Sequence, residues 1–124
     1  MSMNKVVIVG GGMVGAACAL KLAKQGIQVT VIEQRVIEPH TVLASEKVDI
    51  RVSAINRFSE QLLDDLGAMP LLRQSRVAQY TQLEAYEDIP EQLLFDSAEL
   101  GSSHLGHIVE NKLIQAALWA QFEL

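Results

Sequence analysis

Lys5-Val6-Val7-Ile8-Val9-Gly10-Gly11-Gly12-Met13-Val14-Gly15 is the stretch that decides the fold. Its first five residues form a nearly continuous apolar run rich in β-branched side chains, which suits a strand buried on both faces of a parallel sheet. Gly10, Gly12 and Gly15 then follow in the spacing G-x-G-x-x-G. Residues 13–25 read as a helix with the small residues Ala16, Ala17 and Ala19 near its start, and Gly26 supplies its stop. Gln28-Val29-Thr30-Val31-Ile32 reads as a second strand that ends in Glu33. The expectation is an α/β fold opening with a βαβ unit.

Each part of this pattern has a chemical role. Gly10 permits the tight turn out of the strand, Gly12 leaves room for a pyrophosphate beside the backbone, and Gly15 lets the helix approach closely. Phosphates are favoured by the free N–H groups and positive end of the helix. At the tip of the second strand, the Glu33 carboxylate is placed to accept hydrogen bonds from both ribose hydroxyls of an adenosine. An acid there argues against a 2′-phosphorylated ribose. Glycine-rich turns are common, but the strand–turn–helix–strand–acid order is the context that makes this one a dinucleotide site. The motif alone leaves NAD and FAD open, and no Gly-Lys-Ser/Thr follows to make a Walker-type phosphate loop.

Outward from this stretch the chain is less specific. It has 124 residues, enough for one domain, and 49% are hydrophobic, so a folded core is expected. Ten basic residues against fifteen acidic ones, a net charge of -5, argue against a nucleic-acid backbone binder. The single cysteine, Cys18, excludes an internal disulfide framework and is expected to be buried in the first helix. The apolar N-terminal stretch is broken by glycines and by Lys21 and Lys24, so no membrane span is expected. The residues before Val6 carry no convincing signal peptide, and a cytoplasmic location is the default.

Residues 34–50 read as a long loop on the cofactor side of the sheet, leading to Arg51. Ile55, Phe58, Leu62, Leu63 and Leu66 make one apolar stripe, which predicts a helix from Ser53 to Gly67, with Ser53 as its cap. A short helical turn over residues 70–74 follows. Arg51, just before that helix, can pair with a pyrophosphate or simply balance Asp49 in solvent. Asp64 and Asp65 read as a wet helix face. Residues 78–86 read as one strand, paired through a turn at 88–90 with Leu93-Leu94-Phe95 to make an antiparallel ribbon. A helix over 112–122 has Leu113, Ala116, Ala117 and Ala120 as its packed face, with Leu118, Trp119 and Phe122 elsewhere. His104 and His107 stand three apart, but no further ligands are spaced to complete a metal site, so none is assigned. His40 has no partner. Neither a Ser-His-Asp arrangement nor a catalytic carboxylate pair can be built, so no catalytic residue is assigned. That suits a protein whose cofactor supplies the reactive atoms.

Val7-Ile8-Val9-Gly10-Gly11-Gly12-Met13-Val14-Gly15-Ala16-Ala17, Arg51-Val52-Ser53-Ala54-Ile55 and Gly106-His107-Ile108-Val109-Glu110-Asn111 occur together here. The combination resembles the FAD-dependent hydroxylases of ubiquinone biosynthesis, within the para-hydroxybenzoate-hydroxylase-like flavin monooxygenases. The resemblance implies a Rossmann-like FAD-binding fold. It implies FAD held by Gly10, Gly12, Gly15 and Glu33, with Arg51 near the flavin and its phosphates and Asn111 toward the flavin side. It further implies NAD(P)H as reductant, O2 as the source of the hydroxyl oxygen, and a polyprenylated phenol or quinol as substrate.

The resemblance runs over essentially the whole chain but only the N-terminal portion of such an enzyme. Its later Asp-Gly and Gly-Asp motifs and most of its substrate-binding sheet are missing. The chain therefore reads as a truncated piece: residues 1–76 an FAD-binding βαβ unit and following helix, 77–105 a β-ribbon beginning the substrate side, and 106–124 a return strand and helix. Alone it is expected to be inactive. Its partners are an aromatic or quinol substrate, with no nucleic acid. Homo-oligomers and association of the parent with the inner membrane or a biosynthetic complex are also open. The alternatives are part of another FAD- or NAD-linked oxidoreductase, or a non-catalytic nucleotide-binding domain.

Overall fold

A computed structural model describes residues 4–88 and 91–122. The expected opening is present. Strand β1 (Lys5–Val9) pairs in parallel with β2 (Gln28–Ile32), Val7 opposite Thr30, and helix α1 (Met13–Ala23) crosses between them. β1 alternates, however, and is not covered on both faces. Val7 and Val9 on one face are exposed, as is Ile32 on the neighbouring strand. Continuous hydrophobicity in the sequence hides this, because apolar side chains on a bare face and on a covered face look alike.

Helix α1 directs Ala16 and Ala19 into the interior, whereas Cys18 is exposed, against the sequence expectation. Small residues on every side of this helix blur which face packs. The segment expected to be a long loop contains a short helix, α2 (Pro39–Ala44), begun by Pro39 in its first turn.

The largest departure lies at residues 52–56. They form strand β3 (Val52–Asn56), and helix α3 (Arg57–Asp65) starts only after it. Asn56, not Ser53, is the cap: its side-chain oxygen accepts from the Ser59 N–H at 2.9 Å. Ile55, Leu63 and Leu66 are buried as the apolar stripe predicts, but Phe58 points outward. The strand's ladder comes from β7 (Gly106–Glu110), which pairs antiparallel with β3, Val52 opposite Glu110 and Ile55 opposite His107. Asp64 and Asp65 are exposed, as expected.

Helix α4 (Met69–Ser75) extends the predicted turn and buries Met69 and Leu72. Residues 78–86 are two strands belonging to different sheets. β4 (Ala78–Tyr80) joins the other edge of β7, while β5 (Gln82–Tyr86) pairs antiparallel with β6 (Gln92–Asp96) in the expected ribbon. The turn of that ribbon at Ile89 and Pro90 lies outside the described residues.

Helix α5 (Asn111–Trp119) packs against α1, α2, α4 and β7 and carries the centre of the core. Leu113, Ile114, Ala117 and Leu118 are buried with Ala16, Ile55, Leu63, Leu66, Met69, Leu72 and Val109. Leu118 thus belongs to the packed face and not elsewhere. No helix among the described residues is long and apolar enough to cross a membrane.

Two positions of the motif demand glycine. Gly10 has φ +104°, a backbone region that side-chain-bearing residues rarely adopt. A Cβ on Gly15 would overlap the Gly10 carbonyl oxygen, and that oxygen belongs to the turn itself and cannot move aside. Gly15→Ala is expected to destabilise the fold by about 3 kcal/mol, the upper part of the overpacking range. Urea unfolding checks this, and a midpoint equal to that of the unsubstituted chain would contradict it.

Candidate functional site: the glycine turn and its clamp

The turn is built from β1 outward. The Gly10 N–H donates to the Ile32 carbonyl at 2.7 Å, which holds the end of β1 beside the end of β2. The next N–H, of Gly11, donates to Glu33 Oε2 at 2.5 Å, and the Arg35 N–H donates to Oε1 at 3.2 Å. These bonds, from Gly11 first, hold the Glu33 carboxyl below the ordinary carboxylate value despite some desolvation. Gly12 takes the capping position of α1 in extended conformation, with no side-chain cap. A Cβ placed on Gly12 would meet nothing within 4 Å. The first turn of α1 therefore offers unsatisfied N–H donors beside open space, as an anionic group requires.

Sequence reasoning missed the other half of this turn. The Gly11 carbonyl accepts from Gln115 Nε2 at 2.8 Å and from Trp119 Nε1 at 2.7 Å, both on α5. Gln115 and Trp119 are four apart and so share a helix face, a signal visible in the sequence, though nothing there names the target. Trp119 also packs on Phe122, with ring centroids 5.7 Å apart.

Arg51 and Asn111 come together through the β3–β7 ladder. The Asn111 N–H donates to the Arg51 carbonyl at 2.9 Å, and Ser53 Oγ donates to Asn111 Oδ1 at 2.5 Å. Arg51 precedes a strand, not a helix. Its N–H donates to Asp49 Oδ1 at 3.0 Å, while its guanidinium is exposed and makes no hydrogen bond among the described residues. Among the described residues no hydrogen bond joins either residue to the glycines. Asn111 is nevertheless one helical turn before Gln115, about 6 Å along α5. A groove of about 920 Å³ lined by Val29, Val31, His40 and Phe122 reaches Glu33 but includes neither the other glycine-turn residues nor Arg51 and Asn111.

Behind Arg51, an ion pair between the half-buried Arg76 and the buried Glu110 sets the loop. The Arg76 guanidinium bonds the Glu110 carboxylate through Nε and, at 3.0 Å, through Nη2. It also donates to the carbonyls of Ser45 at 2.6 Å and Lys47 at 3.1 Å. The Asp49 N–H completes the arrangement by donating to Glu110 Oε1 at 2.5 Å. Glu110 is held below the ordinary value chiefly by Arg76, against the opposing effect of burial, with the Asp49 N–H adding to the lowering.

The two histidines also have a partner unseen in the sequence. Glu60, from α3, meets both His104 and His107. The acid lies far away in the chain, so local spacing gave no sign of it.

Residues 5–48 match the DAO family, described as FAD dependent oxidoreductase. The chain is 44% identical over 120 residues to 3-demethoxyubiquinol 3-hydroxylase of Escherichia coli (strain K12), covering 97% of this chain and 30% of that protein. The chain is thus similar to part of a demethoxyubiquinol hydroxylase. It is also 34% identical over 113 residues to ubiquinone hydroxylase UbiL of Rhodospirillum rubrum, covering 91% of this chain and 25% of the relative. The chain thus spans under a third of the length of these curated relatives. Among solved structures, the flavin-dependent halogenase CmlS superposes with a TM-score of 0.71 at 20% identity, over 98% of this chain and 21% of that one, which supports the fold. The family matched over residues 5–48 is FAD dependent, and the open, uncapped N-terminus of α1 beside Gly12 fits an anionic group such as the pyrophosphate of FAD.

Glu110 supplies a pH test of the frame around the site. A carboxylate whose folded pKa is depressed contributes stability fully present above its ordinary value, here 4.5, and lost as pH falls through the lower folded value. Glu110→Gln is expected to lower stability at neutral pH, because Arg76 loses its charged partner and keeps only the carbonyls of Ser45 and Lys47. It should also make the loss of stability below pH 4.5 shallower. Urea melts of both proteins on either side of that pH check both statements.

Proposed function

We propose that this chain forms the adenosine- and pyrophosphate-binding part of an FAD-dependent monooxygenase that hydroxylates a polyprenyl phenol or quinol. NAD(P)H would serve as reductant and O2 as oxygen donor. The observation that carries this reading is the glycine turn with Glu33 at the end of β2 and an uncapped α1 beside Gly12. Similarity over nearly the whole chain to named ubiquinone-pathway hydroxylases supports it.

Each residue then has a task. The N–H groups at the start of α1 hold pyrophosphate oxygens beside Gly12, with the helix dipole favouring their charge. Glu33 binds the adenosine ribose. Two of its lone pairs already serve Gly11 and Arg35, which leaves acceptor capacity for two hydroxyls. Arg51 has a free, exposed guanidinium to turn toward the phosphates. Asn111, its side-chain carbonyl tied to Ser53, presents its amide N–H2 toward the flavin side. Bound flavin supplies the redox chemistry, and the protein orients it and excludes water.

The chain divides in this reading into the FAD-binding unit and following helix at 1–76, the start of the substrate side at 77–105, and a returning strand and helix at 106–124. The intact protein works in the cytoplasm at the inner membrane, where a polyprenylated substrate resides. The chain alone does not turn over substrate. Bare strand faces and ribbon residues, Val7, Val9, Leu93 and Phe95 among them, favour association with a further copy or with the remainder of the enzyme.

FAD titration of the chain, read by flavin fluorescence, tests the cofactor assignment. Weak, saturable binding is expected. Glu33→Arg should weaken it by roughly one to two orders of magnitude, since a charge-assisted hydrogen bond is worth about 1.5–3 kcal/mol. Equal affinity in the two proteins would remove ribose recognition from Glu33. Sedimentation of the same samples at rising concentration should show self-association, and a monomer at every concentration would count against it.

A further inference from the structure

A second constellation lies away from the glycine turn. Glu60 sits in the first turn of α3 and is 7% exposed. His107 on β7 and His104 just before it converge on this carboxylate. His104 Nε2 is 3.0 Å from Glu60 Oε2, and His107 Nδ1 is hydrogen bonded to Oε1. One donor atom from each of the three residues lies within 4.8 Å of the other two. The imidazoles meet edge to face with centroids 4.9 Å apart, so neither ring blocks the other's nitrogen.

We propose that Glu60, His104 and His107 bind a divalent transition-metal ion of the zinc type. Two imidazole nitrogens and one carboxylate oxygen are a donor set for zinc and its neighbours, whereas magnesium and calcium take mainly oxygen. Three protein donors leave a coordination position for water. With both rings neutral, the cluster carries one negative charge largely withdrawn from solvent, and the N-terminal end of α3 favours the ionised form of Glu60. The two histidine hydrogen bonds hold that carboxyl below its ordinary value although burial, the largest single effect, pushes the other way.

The surroundings fit the same reading. Ser103 Oγ lies 2.7 Å from His104 Nδ1, and Ser102 Oγ donates to the His104 carbonyl at 2.9 Å, so the ring is held with Nε2 toward the cluster. Arg57 is the positive charge now nearest: its Nε is 3.7 Å from Glu60 Oε2 and its Nη1 is 2.7 Å from His104 Nε2. That side chain is 53% exposed and has a path to solvent. A guanidinium therefore stands where a cation is wanted and competes with an ion for the place. A metal here would fasten the segment before β7 to α3.

Tag-free protein titrated with cobalt(II) chloride, followed by visible absorption and displaced with zinc chloride, tests the site. Saturation at one equivalent is expected. Glu60→Gln and His104→Gln should each weaken binding by at least about tenfold, and Ser103→Ala by about tenfold through the loss of ring orientation. Arg57→Gln should tighten it severalfold by removing the competing charge. His40→Gln, on α2 and outside the cluster, should leave it unchanged. The proposal fails if no saturable binding occurs at millimolar metal, or if Glu60→Gln and His104→Gln bind cobalt as well as the parent chain. Should circular dichroism show those two variants unfolded, Arg57→Gln decides, and an unchanged or weakened affinity overturns the site.

Discussion

The backbone of one residue, Gly11, ties the structure together. Its N–H is taken by Glu33 at the end of β2 and its carbonyl by Gln115 and Trp119 on α5. A glycine-rich turn left to itself has many conformations and loses much entropy on ordering. Here both backbone polar groups of the central glycine, one in each of its flanking peptides, are fixed from opposite sides. The same bonds set the end of β2, the direction of α1 and the depth at which α5 docks. Glu33 consequently holds the turn, and the ribose contact proposed for it depends on that first duty.

The β3–β7 ladder does for the other half of the molecule what this glycine does for the first. It puts Arg51 and Asn111 side by side although their segments are far apart in the chain. The Arg76–Glu110 pair behind it satisfies carbonyls of the loop that leads to Arg51. A partly buried ion pair adds little net stability over an apolar pair of the same shape, but any loop arrangement that left the buried Glu110 without Arg76 would be disfavoured. Its contribution is best understood as fixing where the loop runs.

What the sequence made legible follows from the range of the interactions. The βαβ unit could be read because nearly everything that shapes it lies between Lys5 and Glu33 and obeys local rules of turn, helix and strand. The strand at 52–56 could not. Ser53 and Ala54 have weak preferences, and the spacing of Ile55, Phe58 and Leu62 suits a helix, so the partner strand β7 decides. Residues 78–86 split for a similar reason, since β7 claims the first part and β6 the second. Of the site, the glycines and Glu33 were visible as a motif. Trp119, Gln115 and Glu60 were not, because each acts on a residue dozens of positions away. Cys18 shows the remaining gap: on a helix small on all sides, composition alone does not say which way a residue points.

The clamp on Gly11 also has a consequence in time. Its donors lie 104 and 108 residues farther along the chain. At a synthesis rate of about 5–20 residues per second, the turn leaves the ribosome on the order of ten seconds before Gln115 and Trp119 exist to hold it. During that interval the βαβ unit has its strands and helix but not its fixed central glycine. Closing so long a loop also comes late in folding, because its entropy is lost before the contact is gained. The glycine turn, and with it the proposed nucleotide site, is thus finished from the far end of the segment by the docking of α5.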